Sequence, residues 1–182
     1  MLNFPRFSKE KNVLRLEIAS LSPGHYEEPR HAVAADLGLQ QWAEFTAPID
    51  IRLHLDKASD ELIVQIDWQT VISSCCDRCA EPLQTSLSDS LTVVYTWNPE
   101  EYGGEAEEEV VLISESTREV DLADPLRQSL ILALPAKQLC SDECRGLCSR
   151  CGANLNLEPC KCPPEPVDPR WEKLNQLLNR KN

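Results

Sequence analysis

Every second residue is apolar in Ile49-Asp50-Ile51-Arg52-Leu53-His54-Leu55-Asp56. The alternation resumes after Lys57-Ala58-Ser59-Asp60, where Leu62, Val64, Ile66 and Trp68 are separated by Ile63, Gln65 and Asp67. A period of two is that of a strand with one buried face, so residues 49–68 predict a β-hairpin. Val13-Leu14-Arg15-Leu16-Glu17-Ile18 alternates in the same way and predicts an N-terminal strand. A further strand pair is expected around residues 71–74 and 86–97, with Leu87, Leu91, Val93 and Tyr95 sharing a face. It flanks Cys75-Cys76-Asp77-Arg78-Cys79-Ala80-Glu81-Pro82, which places the first cysteine cluster at a strand turn. Residues 22–31 hold Pro23, Gly24 and Pro29 among histidines and glutamates and read as an irregular surface loop. Residues 32–42, with Asp36 and Gly38 inside them, fit a short helix or a strand equally.

Helical signals come later. Asp124-Pro125 has the form of an N-cap followed by proline in the first helical position, and Leu126, Leu130, Ala133 and Leu134 fall near helical spacing before Pro135. Asp168-Pro169 repeats that start signal ahead of Trp171, Leu174, Leu177 and Leu178, which predict a closing helix. Between them, residues 140–166 hold six cysteines and four prolines with no sustained hydrophobic period, so this stretch needs a staple other than a core. The chain divides into a β-rich core domain over residues 1–136, with an acidic loop at about 100–119, and a Cys-rich module with its closing helix over residues 137–182.

Composition narrows the chemistry. Thirty acidic residues against 18 basic ones give a formal net charge of -12, which opposes generic attraction to nucleic-acid phosphates and argues against a DNA-binding role. No run approaches the ~18 apolar residues needed to cross a bilayer, and the first residues lack a hydrophobic signal core. A cytoplasmic protein with no membrane contact is the expectation. In such a compartment nine cysteines point to metal ligation or thiol chemistry rather than to disulfides.

The sharpest constellation is Cys148-Ser149-Arg150-Cys151-Gly152 followed by Cys160-Lys161-Cys162. A C-x2-C turn can aim two thiolates at one Zn²⁺, and the glycine lets backbone amides approach the sulfurs. Cys76-Asp77-Arg78-Cys79 is a second C-x2-C, and Cys140 and Cys144 stand in a C-x3-C. Eight cysteines make two tetrahedral sets: Cys76, Cys79, Cys140 and Cys144 for one zinc ion, and Cys148, Cys151, Cys160 and Cys162 for another. Two alternatives stay open, one ion shared between the two regions and Cys144 standing in for one member of the C-x-C pair. Cys75 is surplus and reads as a small buried side chain.

Thiol-redox chemistry is the rival use of C-x2-C. It normally places the attacking thiolate at a helix N-terminus in a βαβ unit, whereas the flanks here are strand-like. Iron–sulfur ligation also uses cysteines alone, but the knuckle glycine and the loop-rich setting favour zinc. His25, His31 and His54 are scattered and read as surface residues. Trp42, Trp68, Trp97 and Trp171 have no interleaved basic residues and read as packing residues rather than base-stacking platforms. Paired catalytic carboxylates, a phosphate-cradling glycine loop and a nucleophile elbow do not occur, so no catalytic residue is assigned and no enzymatic activity is expected.

The chain resembles the YceD family of large ribosomal RNA subunit accumulation proteins, in a multi-cysteine form similar to that of cyanobacteria, Gram-positive bacteria and plastids. The resemblance is carried by four stretches. They are Cys76-Asp77-Arg78-Cys79 after a hairpin, Val120-Asp121-Leu122 leading to Leu130-Ile131-Leu132-Ala133-Leu134-Pro135, the run from Cys144-Arg145-Gly146-Leu147-Cys148 through Cys151-Gly152-Ala153-Asn154-Leu155-Asn156, and Asp168-Pro169-Arg170-Trp171. It implies a role in producing or stabilising large-subunit ribosomal RNA, with no catalytic residues. Enterobacterial members lack most of the C-terminal cysteines, which implies that not every relative needs a second metal module. The expected fold is α+β and β-dominated, an antiparallel sheet or partly open barrel with short helices and a zinc-stapled C-terminal module. The expected partners are the ribosomal RNA maturation machinery or a basic ribosomal protein, because acidic chains favour basic ones. Residues 137–182, with eight basic against six acidic residues, offer a possible RNA contact.

Overall fold

The computed structural model describes residues 14–98, 109–163 and 170. Its dominant element is the hairpin that the alternation predicts, longer than expected. Strands β4 (Ile49–Lys57) and β5 (Glu61–Cys75) pair antiparallel, and β5 runs on without a break to pair along its whole length with β6 (Pro82–Thr96). Residues 71–74 therefore belong to the same strand as residues 62–68. The sheet order is β2 (Gly24–Ala32), β4, β5, β6 and β7 (Glu109–Leu112), with the two-residue β3 (Glu44–Phe45) added to β5 beside Ser73 and Ile72. Within this path β2 and β7 are the ends, so the sheet is open rather than a closed barrel. Residues 32–42 form neither a helix nor a strand of their own: Ala32 ends β2, and the rest is a series of turns that buries Leu37 and Leu39.

Two expectations are corrected here. Residues 22–31 are not an irregular loop: β2 (Gly24–Ala32) pairs with β4 over nine consecutive positions. Proline and glycine suggested a break, but Gly24 opens the strand and Pro29 lies on the sheet's outer strand, where a missing N–H need not interrupt a ladder. Directly across from β4, His25 faces Asp56, Glu27 faces His54 and His31 faces Asp50, so the charges that looked loop-like are a cross-strand ladder on the outer face. The acidic segment is also less loop-like than expected. Glu109–Leu112 forms β7, parallel to β6, with Val94 opposite Val110 and Tyr95 opposite Val111.

The other face of the sheet carries the core. Ile51, Leu53 and Leu55 of β4 and Leu62, Val64, Ile66 and Trp68 of β5 are buried there. They are covered by a ribbon of β1 (Arg15–Glu17) with β8 (Glu119–Asp121) and by the helix α1 (Ala123–Leu132), through Leu16, Val120, Leu122, Leu126 and Leu130. Arg30 ties the ribbon to the sheet by donating to the Arg15 carbonyl at 2.9 Å while pairing with Glu28 at 3.0 Å. The helix starts two residues earlier than its sequence signal. Leu122 is the N-cap, Asp121 accepts from the Ala123 N–H at 2.9 Å, and Asp124 sits in the first turn, where the helix dipole favours an anion. Pro125 is tolerated because first-turn N–H groups have no helical acceptor. The closing helix expected after Asp168-Pro169 lies outside the described residues. Of the tryptophans, Trp68 is core, Trp97 packs against it half-buried, and Trp42 is 51% exposed, contrary to the packing role expected of it; Trp171 lies outside the described residues.

One polar chain crosses this apolar contact. Trp68 Nε1 donates to Ser129 Oγ at 2.8 Å, and Ser129 Oγ donates to Asp89 at 3.3 Å, joining β5, α1 and β6. Ser129→Ala leaves a buried indole N–H without its partner. The expected cost is about 1–3 kcal/mol of folding stability, read as a lower urea midpoint with an unchanged slope. An unchanged midpoint would show that the serine does not fasten the helix.

Candidate metal centre

The eight cysteines of the two expected sets fall into two groups, each with all four sulfurs within 4.8 Å of one another. The first group joins distant parts of the chain. Cys76 and Cys79 lie in the turn between β5 and β6, where the Cys76 N–H donates to the Glu81 carbonyl and the Ala80 N–H to the Cys76 carbonyl. Ala80 takes the left-handed conformation, φ 60°, to close that turn. Residues 138–147 return to it. Asp77 and Gln138 exchange hydrogen bonds, the Leu147 N–H donates to the Arg78 carbonyl, and the Arg78 guanidinium donates to the carbonyls of Asp142 and Cys144 at 3.0 and 2.9 Å. Gly146 is required at this contact. Its φ is 74°, and a Cβ there would stand 3.0 Å from the Arg78 carbonyl oxygen.

Sulfur spacing then decides what the first group can hold. Cys76 and Cys144 are 3.8 Å apart and Cys79 and Cys140 3.7 Å apart. Tetrahedral bonds of about 2.3 Å from one ion to four thiolates put the sulfurs about 3.8 Å from each other. The group therefore fits a single metal ion, and the sulfurs are too far apart to be disulfides. It is also enclosed, with Cys76, Cys79 and Cys144 buried and Leu139 packed against them.

The second group is local and open. The Cys148 N–H donates to the Ala153 carbonyl and the Gly152 N–H to the Cys148 carbonyl, forming the knuckle, with Gly152 at φ 72°. Cys160 and Cys162 both join it, 3.2 Å separating Cys148 from Cys160, and Arg150 fastens the return by donating to the Pro163 carbonyl at 2.7 Å. Cys144 belongs to the first group, so each set has four sulfurs of its own. Cys75 is in neither. It is exposed, not buried as expected, because the strand alternation that turns Cys76 inward turns its neighbour out.

Crowding four thiols divides their acidities. The backbone N–H of Cys140, 3.4 Å from Cys76 Sγ, leads in holding the Cys76 thiol down to about 6. The N–H groups of Cys151 and Arg150 do the same for Cys148, also to about 6. Cys140 is pushed up to about 12, chiefly by the sulfurs of Cys144 and Cys79, and Cys162 up to about 12 by Cys160 and Cys151. Each set thus combines a ready thiolate with a thiol that ionises only when a cation balances its neighbours. The histidines stay on the outer strand face, with His54 between Glu27 and Asp67. Sequence reasoning missed Asn156, whose side-chain Nδ2 donates to Cys144 Sγ at 3.3 Å; a lone asparagine in a loop carries no signal of that contact.

Comparison with known proteins places this geometry. Residues 64–178, from within β5 past both cysteine sets, match the family described as large ribosomal RNA subunit accumulation protein YceD. An uncharacterized protein of Mycobacterium tuberculosis is 31% identical over 134 residues, which cover 72% of this chain and 63% of the relative. The chain thus spans less than two thirds of that relative's length. The Arabidopsis thaliana protein named large ribosomal RNA subunit accumulation protein YCED homolog 1, chloroplastic, is 23% identical over 71% of this chain and 48% of its own length. The Zea mays protein of the same name is 25% identical over 88% of this chain and 68% of its own. No solved structure matches. Among the described residues no helix is long and apolar enough to cross a membrane.

Because thiolates rather than thiols bind metal, the raised acidity of Cys76 and Cys148 has a visible consequence. In the reduced, metal-free protein, ultraviolet thiolate absorbance should rise through about pH 6 by two equivalents, from Cys76 and Cys148, and by one in Cys148→Ser. Metal binding should weaken as pH falls through the same range. A rise confined to the ordinary thiol range, near ~8.5, would contradict the polarising role of the backbone N–H groups.

Proposed function

The chain belongs to the YceD family of large ribosomal RNA subunit accumulation proteins, and from that premise we propose that it is a non-catalytic factor, acting in the cytoplasm, that promotes accumulation or processing of large-subunit ribosomal RNA. What carries the reading is the family match over residues 64–178, which takes in both cysteine sets. The cysteine module serves as the contact region, and Zn²⁺ is the ion we assign to both sets. The inner sulfurs, 3.7 and 3.8 Å apart, have the tetrahedral spacing that suits zinc, and the outer set offers four cysteines within reach of one ion; zinc has no redox chemistry of its own and closes structural sites with cysteine alone. An iron–sulfur cluster is a larger body and needs its thiolates spread more widely around it. Neither C-x2-C lies at the start of α1, the position that activates a thiolate for exchange, which tells against the thiol-redox reading. The partner is a basic ribosomal protein or a component of the ribosomal RNA maturation machinery, drawn to a chain of net charge -12.

Direct RNA contact through residues 137–182 is the second reading. It has an observation in its favour: Lys137, Arg145 and Lys161 form no ion pair with a carboxylate among the described residues, which leaves their charge available. It requires affinity that falls steeply with added salt and with Arg145→Ala, Arg150→Ala and Lys161→Ala together. Binding indifferent to both would remove it.

Two measurements test the main proposal. Elemental analysis of reduced protein purified without chelator should give two zinc ions per chain, falling to one when Cys148 and Cys151 are both changed to serine; a chain without metal would end the zinc assignment. Cells depleted of the protein should lose large-subunit ribosomal RNA relative to small-subunit RNA, and the wild-type chain but not a Cys76→Ser, Cys79→Ser variant should restore it. An unchanged ratio on depletion would overturn the proposed role.

A further inference from the structure

The two cysteine sets differ in how they are supported, yet a side chain carried on the loop of one reaches a sulfur of the other. Cys76, Cys79, Cys140 and Cys144 form an inner set fixed by the β5–β6 turn. Cys148, Cys151, Cys160 and Cys162 form an outer set on a segment with little of its own to hold it, where Leu157 is 79% exposed and Leu147 42%. Asn156 lies in the outer set's loop, between Cys151 and Cys160. Its Oδ1 accepts from the Arg145 N–H at 2.7 Å, which fixes the amide so that Nδ2 faces the inner set and donates to Cys144 Sγ at 3.3 Å. The same Nδ2 lies 2.9 Å from Asn154 Oδ1, and Asn154 Nδ2 reaches Glu81 at the hairpin turn at 3.1 Å. The Leu155 N–H donates to the Gly146 carbonyl. Asn156 reaches Cys144 only while its loop is folded, and four sulfurs around one ion are what would fold that loop.

We propose that the two centres bind metal cooperatively, and that Asn156 is the positioning residue that couples them, its amide seated on the Cys144 sulfur when the outer centre is filled. The proposal rests on the reading of both sets as metal centres. Hydrogen bonds to ligand atoms from the surrounding shell commonly change metal affinity by about 10- to 100-fold. Coupling is reciprocal, so an inner ion favours outer binding by the same factor.

The test uses the full chain, reduced and stripped of metal, titrated with zinc against a chromophoric chelator. Three proteins set the cycle: the wild type, Cys148→Ser with Cys151→Ser to leave the inner centre alone, and Cys76→Ser with Cys79→Ser to leave the outer. The wild-type constant for binding two ions should exceed the product of the two single-centre constants by about tenfold or more. Asn156→Ala should remove that excess and have no effect when the outer centre is already absent. Asn156→Asp keeps the shape and the acceptor for Arg145 but sets a carboxylate oxygen against the thiolate, and it should weaken two-ion binding further than alanine does. A wild-type constant equal to the product overturns the coupling, as does an Asn156→Ala loss of equal size without the outer centre. Should a cysteine variant fail to fold, the two Asn156 variants in the otherwise wild-type chain decide, and two-ion affinity unchanged in both overturns the proposal. Absence of any zinc binding by the wild type overturns the proposal together with the metal reading, an outcome distinct from two independent sites.

Discussion

Four sulfurs held within 4.8 Å of one another cannot all be ionised unless a cation lies among them. That constraint governs the lower half of the molecule. The inner set closes the chain between residues as much as 68 apart in sequence, from the tip of the hairpin to the start of the tail. Closing so long a loop costs entropy that the surroundings do little to offset, since among the described hydrophobic side chains only Leu139 packs against this cluster. Structural zinc sites contribute about 10–16 kcal/mol in small peptides, enough to hold such a closure. With an ion in the inner set, the hydrogen bonds from Arg78, Asp77 and Gln138 would act as orienting contacts around that joint.

The sheet above it is organised by the opposite principle. Its one buried face is apolar and continuous from Leu14 to Leu130, and the ribbon and helix that cover it are fastened by polar contacts that include Arg30 on the Arg15 carbonyl, Lys57 on the Ile18 carbonyl and Ser129 between Trp68 and Asp89. Water exclusion holds the upper half, whereas the lower half is built round two groups of four sulfurs that could each hold a metal ion. The β5–β6 hairpin belongs to both: its fifteen-residue strands begin in the core and end at Cys76, spanning about 50 Å at ~3.3 Å per residue.

What could be read from the sequence follows the same division. Strands β1, β4, β5 and β6 were legible because a half-buried strand writes its period of two into the chain, and α1 because Leu126 and Leu130 keep a helical interval. The cysteine sets were legible through their spacing, which suggested this partition beside a shared ion or Cys144 in the outer set, and in three dimensions the sulfurs gather in the two groups of four. Strand β2 was not legible. Its inward positions are Tyr26, Glu28, Arg30 and Ala32, two of them charged, so the apolar alternation is missing even though the backbone pairing is complete. Strand β7 was hidden for a different reason, since Val110 and Val111 sit in an acidic stretch and find their partners on β6 in a parallel register that local patterning cannot specify. Asn156 was illegible because its part depends on a neighbour brought close by the folding of two separate turns.

The proline in the middle of β2 bears on how the protein behaves at high concentration. An outer strand ordinarily presents a row of unpaired N–H groups on which another sheet can grow, and long exposed edges are the common seeds of aggregation. Pro29 takes one donor out of that row at the sixth of its nine paired positions. A second copy aligning its own edge there would find the ladder interrupted after a few residues. Crowded copies are thereby discouraged from zipping together through their backbones, a form of self-avoidance built from one imino acid.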